Sequence, residues 1–325
     1  MHEENRSLET ALAAERSALE YYGLNVIEHR VPVSRYDLEL RVLEVGEGEP
    51  LAFVPGGSGD VLQMFPLMAG LRGYRMLAVS RPGAAGSTPI DYREVDVRRL
   101  AVAVISAVLD HFELRQSTLV AHSMGGLWAF WMALDEPDRI STIVQGGCPA
   151  LLLGTSAPFP MRLISTPVLG ALLFPAARPD GPKDVTEGLK KMMGSPDESI
   201  EALPPEMVEA RYELANLPTY RLAWHTMMQA TLTLRGANPR YRLRESELER
   251  IGRRVLFIWG RHDPFGSVDV GRRAVELMPD ARLDLVDAGH VVFLDRPEES
   301  AELIRRFLSG GPTTSQLTPD AGDRR

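Results

Sequence analysis

The sequence predicts an α/β fold in which a mostly parallel, doubly wound sheet carries an inserted helical cap. From Leu51 onward, short apolar runs that suit buried strands alternate with helical patterns, as is typical of a parallel sheet covered on both faces. The alternation stops over residues 147–251, where helical and proline-rich sequence replaces it. A small-residue turn around Ser123 joins one strand to the next helix. We therefore expect a core of residues 26–146 and 252–309 and a cap of residues 147–251.

The core elements are predicted from apolar periodicity and from the turn residues that bound each run. The first two strands form an antiparallel hairpin, and the later strands are each followed by a helix. The predicted strands are 26–33, 38–45, 51–54, 75–79, 117–120, 140–145, 255–259 and 283–286, and the predicted helices are 61–71, 95–112, 127–134, 268–277 and 301–308.

The two ends of the chain differ from the core. Residues 1–25 are predicted to be an N-terminal helical extension, because Leu8, Leu12 and Leu19 recur at helical spacing. This helix is expected to pack on the domain surface; a homodimer contact and a position at the pocket edge are alternatives. Residues 310–325 are small and polar, and are predicted to form a disordered tail.

Composition narrows the function classes. The chain has 325 residues, of which 44% are hydrophobic and 25% charged, so it can bury a large core. A net charge of -8 and the absence of a long basic run argue against a nucleic-acid partner. Cys148 is the only cysteine, so neither an intramolecular disulfide nor a cysteine metal cluster is expected. The first residues lack a signal-peptide pattern, which predicts a cytoplasmic protein.

One stretch raises the question of a membrane. Between Ser141 and Ala177 the only charged residue is Arg162, and that length could cross a bilayer. Repeated glycines and prolines interrupt it, however. We interpret it as a buried strand followed by an apolar insertion, and predict no integral membrane segment; contact with a membrane surface is the alternative.

The turn at Ser123 has the pattern of a nucleophile elbow. In such a turn the backbones of strand and helix approach closely, so small residues are needed two positions before and after the serine. Ala121 and Gly125 fill those positions. The helix that follows directs its first N–H groups toward the serine. The alternative is a serine in an ordinary glycine-rich turn.

An acid and a base follow two later strands. Serine is a weak nucleophile that needs a histidine base, which in turn needs a carboxylate to orient it. Asp263 follows the strand 255–259, and His290 follows the strand 283–286. The strand before these leads into Gln145, Gly146 and Gly147, which offer no carboxylate, so Asp263 is the predicted acid.

With these three residues in the order serine, aspartate, histidine, the chain resembles the α/β-hydrolase superfamily from about residue 26 to residue 308. The resemblance implies that the glycine-rich loop after Pro55 is the oxyanion loop, with the backbone N–H groups of Gly57 and Met124 as its donors. Because these donors belong to the main chain, we expect side-chain changes at Met124 to matter less than added bulk or proline at Gly57. Serine at the elbow argues against the aspartate-nucleophile chemistry of haloalkane dehalogenases and epoxide hydrolases.

Other reactive residues have simpler interpretations. His122 is expected to point away from the nucleophile and to serve packing. His225 and His262 are expected to line the pocket or to lie at core or surface positions, and Asp287 to be a turn residue. Cys148 is expected to be a small buried residue. The glycine loops lack the lysine of a phosphate-binding P-loop.

The predicted function is a serine esterase that needs no cofactor and no metal and acts on a small to medium lipophilic substrate. The wall of the substrate pocket is expected to be apolar and adaptable, because the cap combines an apolar stretch with methionines and a tryptophan. The methionines and the tryptophan are Met192, Met193, Met207, Trp224, Met227 and Met228. Carbon–carbon bond hydrolysis of a diketone is the alternative reaction. A ligand-binding protein without turnover is the alternative class.

Overall fold

The sheet has eight strands and is mostly parallel, as predicted. The computed structural model describes residues 2–310, so the predicted tail lies outside the described residues apart from Gly310. The strands of this sheet are β1 Val26–Val33, β2 Leu38–Val45, β3 Glu49–Val54, β4 Tyr74–Val79, β5 Ser117–His122, β6 Ile140–Gly146, β9 Arg254–Gly260 and β10 Ala281–Val286.

Strand order places the elbow strand at the centre of the sheet. The order is β1-β2-β4-β3-β5-β6-β9-β10. β2 pairs antiparallel with β1 and β4, which confirms the opening hairpin, and all later pairs are parallel. The carboxyl ends of β5, β9 and β10 therefore lie along one edge, where sites in parallel sheets are usually found.

Helices cover both faces of the sheet. The described helices are α1 His2–Tyr21, α2 Phe65–Gly70, α3 Val97–His111, α4 Met124–Asp135, α5 Phe159–Ile164, α6 Pro167–Leu173, α7 Pro182–Met193, α8 Asp197–Glu201, α9 Pro205–Asn216, α10 Pro218–Thr231, α11 Glu245–Leu248, α12 Val268–Leu277, α13 Val292–Asp295 and α14 Pro297–Leu308. One buried apolar cluster includes residues of α3, α4 and α12, and a second includes residues of α1, α2 and α14. Each face thus has its own hydrophobic core.

Several predicted helices differ in extent: the helix predicted over 127–134 spans Met124–Asp135, and the one predicted over 301–308 begins at Pro297. The helix predicted over 95–112 begins only at Val97, because the Asp96 side chain caps it by accepting a hydrogen bond from the Arg99 N–H. The helix predicted over 61–71 divides into a 3-10 turn, Leu62–Met64, and the short helix α2. Pro66 occupies the first turn of α2, where its missing N–H costs nothing.

The segment between β6 and β9 contains α5 to α11 and is mainly helical. It also contains a hairpin of two-residue strands, β7 Leu232–Thr233 and β8 Gly236–Ala237, which the sequence pattern did not indicate. Strands this short show no alternation, and Gly236 adopts a positive φ of 135° that glycine tolerates. Within residues 2–310, no helix combines the length and the apolar character needed to cross a membrane.

The N-terminal helix packs on the inserted segment. α1 contacts α9 extensively, and its Glu15 is completely buried. Burial raises the pKa of Glu15, although Arg41 opposes the shift through an ion pair of 2.6 Å. The predicted surface-packing helix is therefore tied to both the core and the inserted segment.

Candidate active site

The three predicted catalytic residues meet at the carboxyl edge of the sheet. Ser123 follows β5, Asp263 follows β9, and His290 follows β10. Ser123 Oγ lies 2.8 Å from His290 Nε2. His290 Nδ1 lies 3.0 and 2.9 Å from the two carboxylate oxygens of Asp263. With Nδ1–H donating to the carboxylate, Nε2 is free to accept the serine proton, as a general base requires.

The backbone at Ser123 is strained in the way that an elbow requires. Its φ is 51° and its ψ is −113°, a region that residues with a Cβ rarely adopt. The small neighbours fit the prediction, because a Cβ placed on Gly125 would lie 2.0 Å from the Val54 carbonyl oxygen. Ala121 is fully buried. The close approach of β3 to α4 therefore excludes any side chain at residue 125.

Asp263 is held as a carboxylate by several donors. Burial alone would raise its pKa, but the charge and hydrogen bond of His290 outweigh burial and lower the pKa below its ordinary value. The Cys148 N–H donates to Oδ2 at 2.7 Å, and the Phe265 N–H donates to Oδ1 at 2.8 Å. Cys148 is buried, as predicted, and its backbone N–H is the part that contacts the site.

The loop after β3 lies beside the serine. Gly57 and Met124 both line the same cavity as Ser123. Within the described part of the chain, neither backbone N–H has a hydrogen-bond acceptor. Both N–H groups are therefore free for an oxygen that develops negative charge on a substrate.

The loop is supported from behind by Arg81. This arginine is buried, donates through Nη2 to the Gly56 carbonyl, and stacks over the Trp128 ring at 4.9 Å. Its backbone N–H donates to the Gly59 carbonyl at 2.9 Å. Burial lowers the Arg81 pKa. The sequence indicated the loop but gave no sign of this buried support.

For a methyl group, the structure does not support the expectation about bulk at Gly57. A Cβ at Gly57 would meet only Met228 Cε, at the ordinary contact distance of 3.8 Å, so a methyl group fits there. The intolerant position is Gly56, where a Cβ would lie 2.5 Å from His122 Nδ1. The steric constraint therefore falls one residue earlier than expected.

His122 has a larger role than packing, contrary to the sequence interpretation. Its Nε2 lies 2.9 Å from the His290 carbonyl oxygen, and its Nδ1 lies 2.8 Å from Gln63 Nε2. With Nε2–H donating to that carbonyl, Nδ1 accepts from the Gln63 amide, so both ring nitrogens are satisfied in the neutral form. His122 thus fixes the backbone of the predicted base. The sequence offered no signal for Gln63.

His122 should make the protein sensitive to acid. Burial, reinforced by the nearby His290, lowers the His122 pKa from 6.5 to about 3. Between these values the unfolded chain binds a proton that the folded chain does not, so the free energy of unfolding falls with decreasing pH, by up to about 1.4 kcal/mol per pH unit. We expect His122→Gln to lack this pH dependence of the free energy of unfolding, because glutamine does not titrate.

Chemical denaturation at several pH values checks the expectation. The variant is less stable at pH 7, and the gap between variant and wild type should narrow as the pH falls from 6.5 toward 3. A gap that stays constant or widens over that range would contradict a buried neutral His122.

The cavity above Ser123 is largely apolar and contains about 790 Å³ of empty space, including open solvent. Of the predicted wall residues, Met193, Trp224 and Met228 line it. Met192, Met207 and Met227 do not line it; Met227 lies in the core, and Met207 lines a separate small cavity. Phe265 stacks on the His290 ring with centroids 4.0 Å apart.

One charged side chain of the inserted segment reaches this cavity. Arg211, on α9, lines it and contacts both carboxylate oxygens of the fully buried Asp60 through Nη1, at 3.2 and 3.0 Å. Asp60 belongs to the loop after β3, so the ion pair joins the inserted segment to that loop. Sequence reasoning did not find this pair, because nothing along the chain connects the two positions.

The two other candidate histidines, His225 and His262, lie away from the reacting atoms. His225 Nε2 lies 3.0 Å from the Ile164 carbonyl oxygen, and its ring stacks on Phe174. His262 is exposed and pairs with the exposed Asp287 at 2.9 Å. Among residues 2–310, no group of three or more histidine, cysteine, aspartate or glutamate side chains could hold a metal ion.

Comparison with known proteins finds relatives with similar amino-acid sequences. A relative from Burkholderia vietnamiensis named 2-hydroxy-6-oxononadienedioate/2-hydroxy-6-oxononatrienedioate hydrolase is 29% identical over 241 residues, covering 73% of this chain and 77% of that protein. A relative of the same name (hydrolase 2) from Pseudomonas putida is 27% identical over 290 residues, covering 86% of this chain and 94% of that protein.

Solved structures share the fold at lower identity. The carboxylesterase CesB from Bacillus subtilis has a TM-score of 0.72 and 21% identity, covering 94% of this chain and all of that one. A 2-hydroxy-6-oxo-6-phenylhexa-2,4-dienoate hydrolase from Rhodococcus has a TM-score of 0.71 and 20% identity, covering 88% of this chain and 99% of that one. A model of the alpha/beta hydrolase family matches residues 51–303. The chain therefore belongs to the alpha/beta hydrolase family and is a hydrolase of that fold.

Proposed function

We propose that this chain is a serine hydrolase that cleaves a carboxylic ester of a small to medium lipophilic substrate. Ser123 is the nucleophile, His290 the general base and acid, and Asp263 the residue that orients the imidazole. The observation that carries the proposal is the continuous hydrogen-bond chain from Ser123 Oγ through His290 to Asp263, at 2.8 Å and then 2.9 Å, beside an apolar cavity.

The first half of the reaction transfers the acyl group to the enzyme. Ser123 Oγ attacks the ester carbonyl carbon while its proton passes to His290 Nε2. The resulting imidazolium is stabilised by Asp263, whose donors keep it ionised. When the tetrahedral intermediate collapses, the bond to the alcohol oxygen breaks and His290 returns the proton to that oxygen.

The negative oxygen of the tetrahedral intermediate needs donors. We assign this role to the free N–H groups of Gly57 and Met124, and the proposal is supported by the position of both residues in the lining of the cavity beside Ser123. Such donors act only as charge develops and are each worth about 3–4 kcal/mol of transition-state stabilisation. The bonds from Arg81 to Gly56 and Gly59 support a fixed loop conformation, which such stabilisation requires.

The second half releases the acid. A water molecule takes the place of the alcohol, gives a proton to His290 and attacks the acyl carbon. Collapse of the second intermediate breaks the bond to Ser123 Oγ, which recovers its proton from His290. Every proton is returned, so the cycle needs no cofactor.

The cavity wall favours a substrate that is neutral at the reacting end. The wall is mainly apolar, and Asp60 already neutralises Arg211, the one lysine or arginine that lines the cavity among the described residues. A carboxylate beside Arg211 would have to compete with that buried aspartate. This arrangement supports an ester more than a dianionic substrate.

Carbon–carbon bond hydrolysis is the second candidate, and the curated relatives favour it. Their names describe hydrolases of 2-hydroxy-6-oxononadienedioate and 2-hydroxy-6-oxononatrienedioate, compounds whose 6-oxo group is a carbonyl flanked by carbon–carbon bonds. The same serine, histidine and aspartate would serve that reaction. Arg211 would then have to exchange Asp60 for a carboxylate of the substrate.

Product identification separates the two reactions. The purified protein is incubated with 4-nitrophenyl butanoate and, in parallel, with a 2-hydroxy-6-oxo dienoate, and the products are identified by mass spectrometry. We expect butanoate and 4-nitrophenol at a rate well above the enzyme-free background. Turnover of the dienoate with negligible esterase activity would favour the second candidate. No turnover of either compound by folded protein would favour a ligand-binding role.

A further inference from the structure

A second cavity lies beside the active-site cavity. It contains about 860 Å³ of empty space, including open solvent, and lies between the β7–β8 hairpin, the loop before α5 and Pro264. Arg162, Arg235 and Arg242 all line it, and we call it the arginine groove. Pro264 directly follows Asp263, so the groove reaches the edge of the catalytic loop.

The positive charge of the groove is not neutralised. No acidic residue lines it, and within residues 2–310 none of its three arginines forms an ion pair. Arg162 Nη1 donates only to the Leu234 carbonyl, at 3.3 Å, and its Nε is buried without a partner.

The groove adjoins the active-site cavity, because Ser156 and Ala157 line both. The Ser156 Oγ is buried and has no hydrogen-bond partner among the described residues. A buried hydroxyl without a partner is unfavourable unless a ligand or water meets it. This donor therefore lies on the boundary that the two cavities share.

We propose that the arginine groove binds an oxyanion group, a carboxylate or a phosphate, of the same substrate whose acyl carbonyl lies at Ser123. The inference rests on the proposed ester hydrolysis and names its substrate class: an ester with an apolar acyl part and a negatively charged end. Guanidinium groups suit this ligand because their planar N–H pairs match the oxygens of carboxylate and phosphate.

The groove explains how an apolar cavity can select a charged substrate. Arg211 inside the cavity is neutralised by Asp60, whereas the groove arginines are free, so the anion is expected in the groove. Arg235 and Arg242 are exposed, and removal of their charge should not disturb the fold. The charged end can lie on the acyl chain or on the leaving alcohol. Esters that carry a carboxylate at one or the other position distinguish these two cases.

Three esters and one paired variant test the inference. The neutral ester is 4-nitrophenyl butanoate; mono(4-nitrophenyl) glutarate carries a carboxylate on the acyl chain, and 3-butanoyloxy-4-nitrobenzoate carries one on the leaving group. The test variant is Arg235→Gln/Arg242→Gln. The control is Arg99→Gln/Arg250→Gln, which removes the same charge from exposed arginines outside the groove.

We expect the test variant to lower kcat/KM for one of the anionic esters by about tenfold, mainly through KM, because charge-assisted hydrogen bonds are lost. The neutral ester should change by less than about twofold, and the control should leave all three esters unchanged. The anionic ester that responds shows whether the bound carboxylate lies on the acyl chain or on the leaving group. Equal responses of the three esters to the test variant would overturn the inference.

A binding measurement keeps the inference testable without turnover. Inorganic phosphate is titrated into the wild type and both paired variants by isothermal titration calorimetry at constant ionic strength. We expect saturable binding to the wild type and the control, and its loss in the test variant. Absence of binding to the wild type, or equal binding to all three proteins, would overturn the groove as an anion site. If no ester is hydrolysed, the proposed function fails, and the phosphate titration alone decides on the groove.

Discussion

Replacement of Ser123 by alanine is expected to lower kcat for 4-nitrophenyl butanoate by about 10⁶-fold without disturbing the fold. The nucleophilic oxygen is lost, and in serine hydrolases the triad acts as a unit, so the loss of the serine costs nearly as much as the loss of all three residues. Some rate above water should remain, because the N–H groups of Gly57 and Met124 still bind the oxyanion.

The fold should tolerate this change. Ser123 Oγ has one described partner, His290, and alanine keeps the Cβ at the same strained φ of 51°. Steady-state kinetics checks the expected loss of kcat, and thermal unfolding checks that the fold is undisturbed. Ser17→Ala, an exposed serine on α1, is the control and should match the wild type in both. A Ser123→Ala protein that keeps a tenth or more of the activity would contradict the assigned nucleophile.

Alanine at Gly125 is expected to lower the free energy of unfolding by about 3 kcal/mol or more. The new Cβ would lie 2.0 Å from the Val54 carbonyl oxygen and 2.7 Å from the Pro55 carbonyl oxygen. Both atoms belong to the backbone of β3 and its loop, so neither can move aside as a flexible side chain would. Overpacking in a core costs about 1–3 kcal/mol, and contact with a rigid backbone should reach the top of that range.

Gly188→Ala is the matched control, and it should have the opposite sign. Gly188 lies inside α7, and a Cβ there would meet nothing within 4 Å. Alanine is favoured over glycine in a helix interior by about 1 kcal/mol, so this variant should be slightly more stable than wild type. Urea denaturation measures both variants. Equal stability of Gly125→Ala and wild type would mean that the elbow is not tightly packed.

Local sequence patterns were sufficient to predict the sheet. The opening hairpin and the later parallel strands all occur, since apolar alternation and turn residues specify them directly. The same holds for the three residues at strand ends. In a parallel sheet all strand ends lie on one edge, so Asp263 and His290 could be placed beside Ser123 without knowledge of packing.

Contacts between distant parts of the chain were beyond sequence reasoning. The interpretation of His122 was wrong because it used only the alternation of side chains along β5. That pattern cannot show Gln63, which approaches the His122 ring from another element. The Arg211–Asp60 pair joins α9 to the loop after β3, and only the packing of the inserted segment creates it. The room for a methyl group at Gly57 and the crowding at Gly56 were missed for the same reason, since that crowding comes from the His122 ring.

The central claim is that Ser123 is the nucleophile, and covalent labelling tests it most directly. The folded protein is treated with a fluorophosphonate probe, digested, and analysed by peptide mass spectrometry. We predict a single phosphonylated peptide with the adduct on Ser123, and no adduct at that site in His290→Ala, which lacks the base. An unlabelled Ser123 in folded wild-type protein, or an adduct on another residue, would contradict the claim.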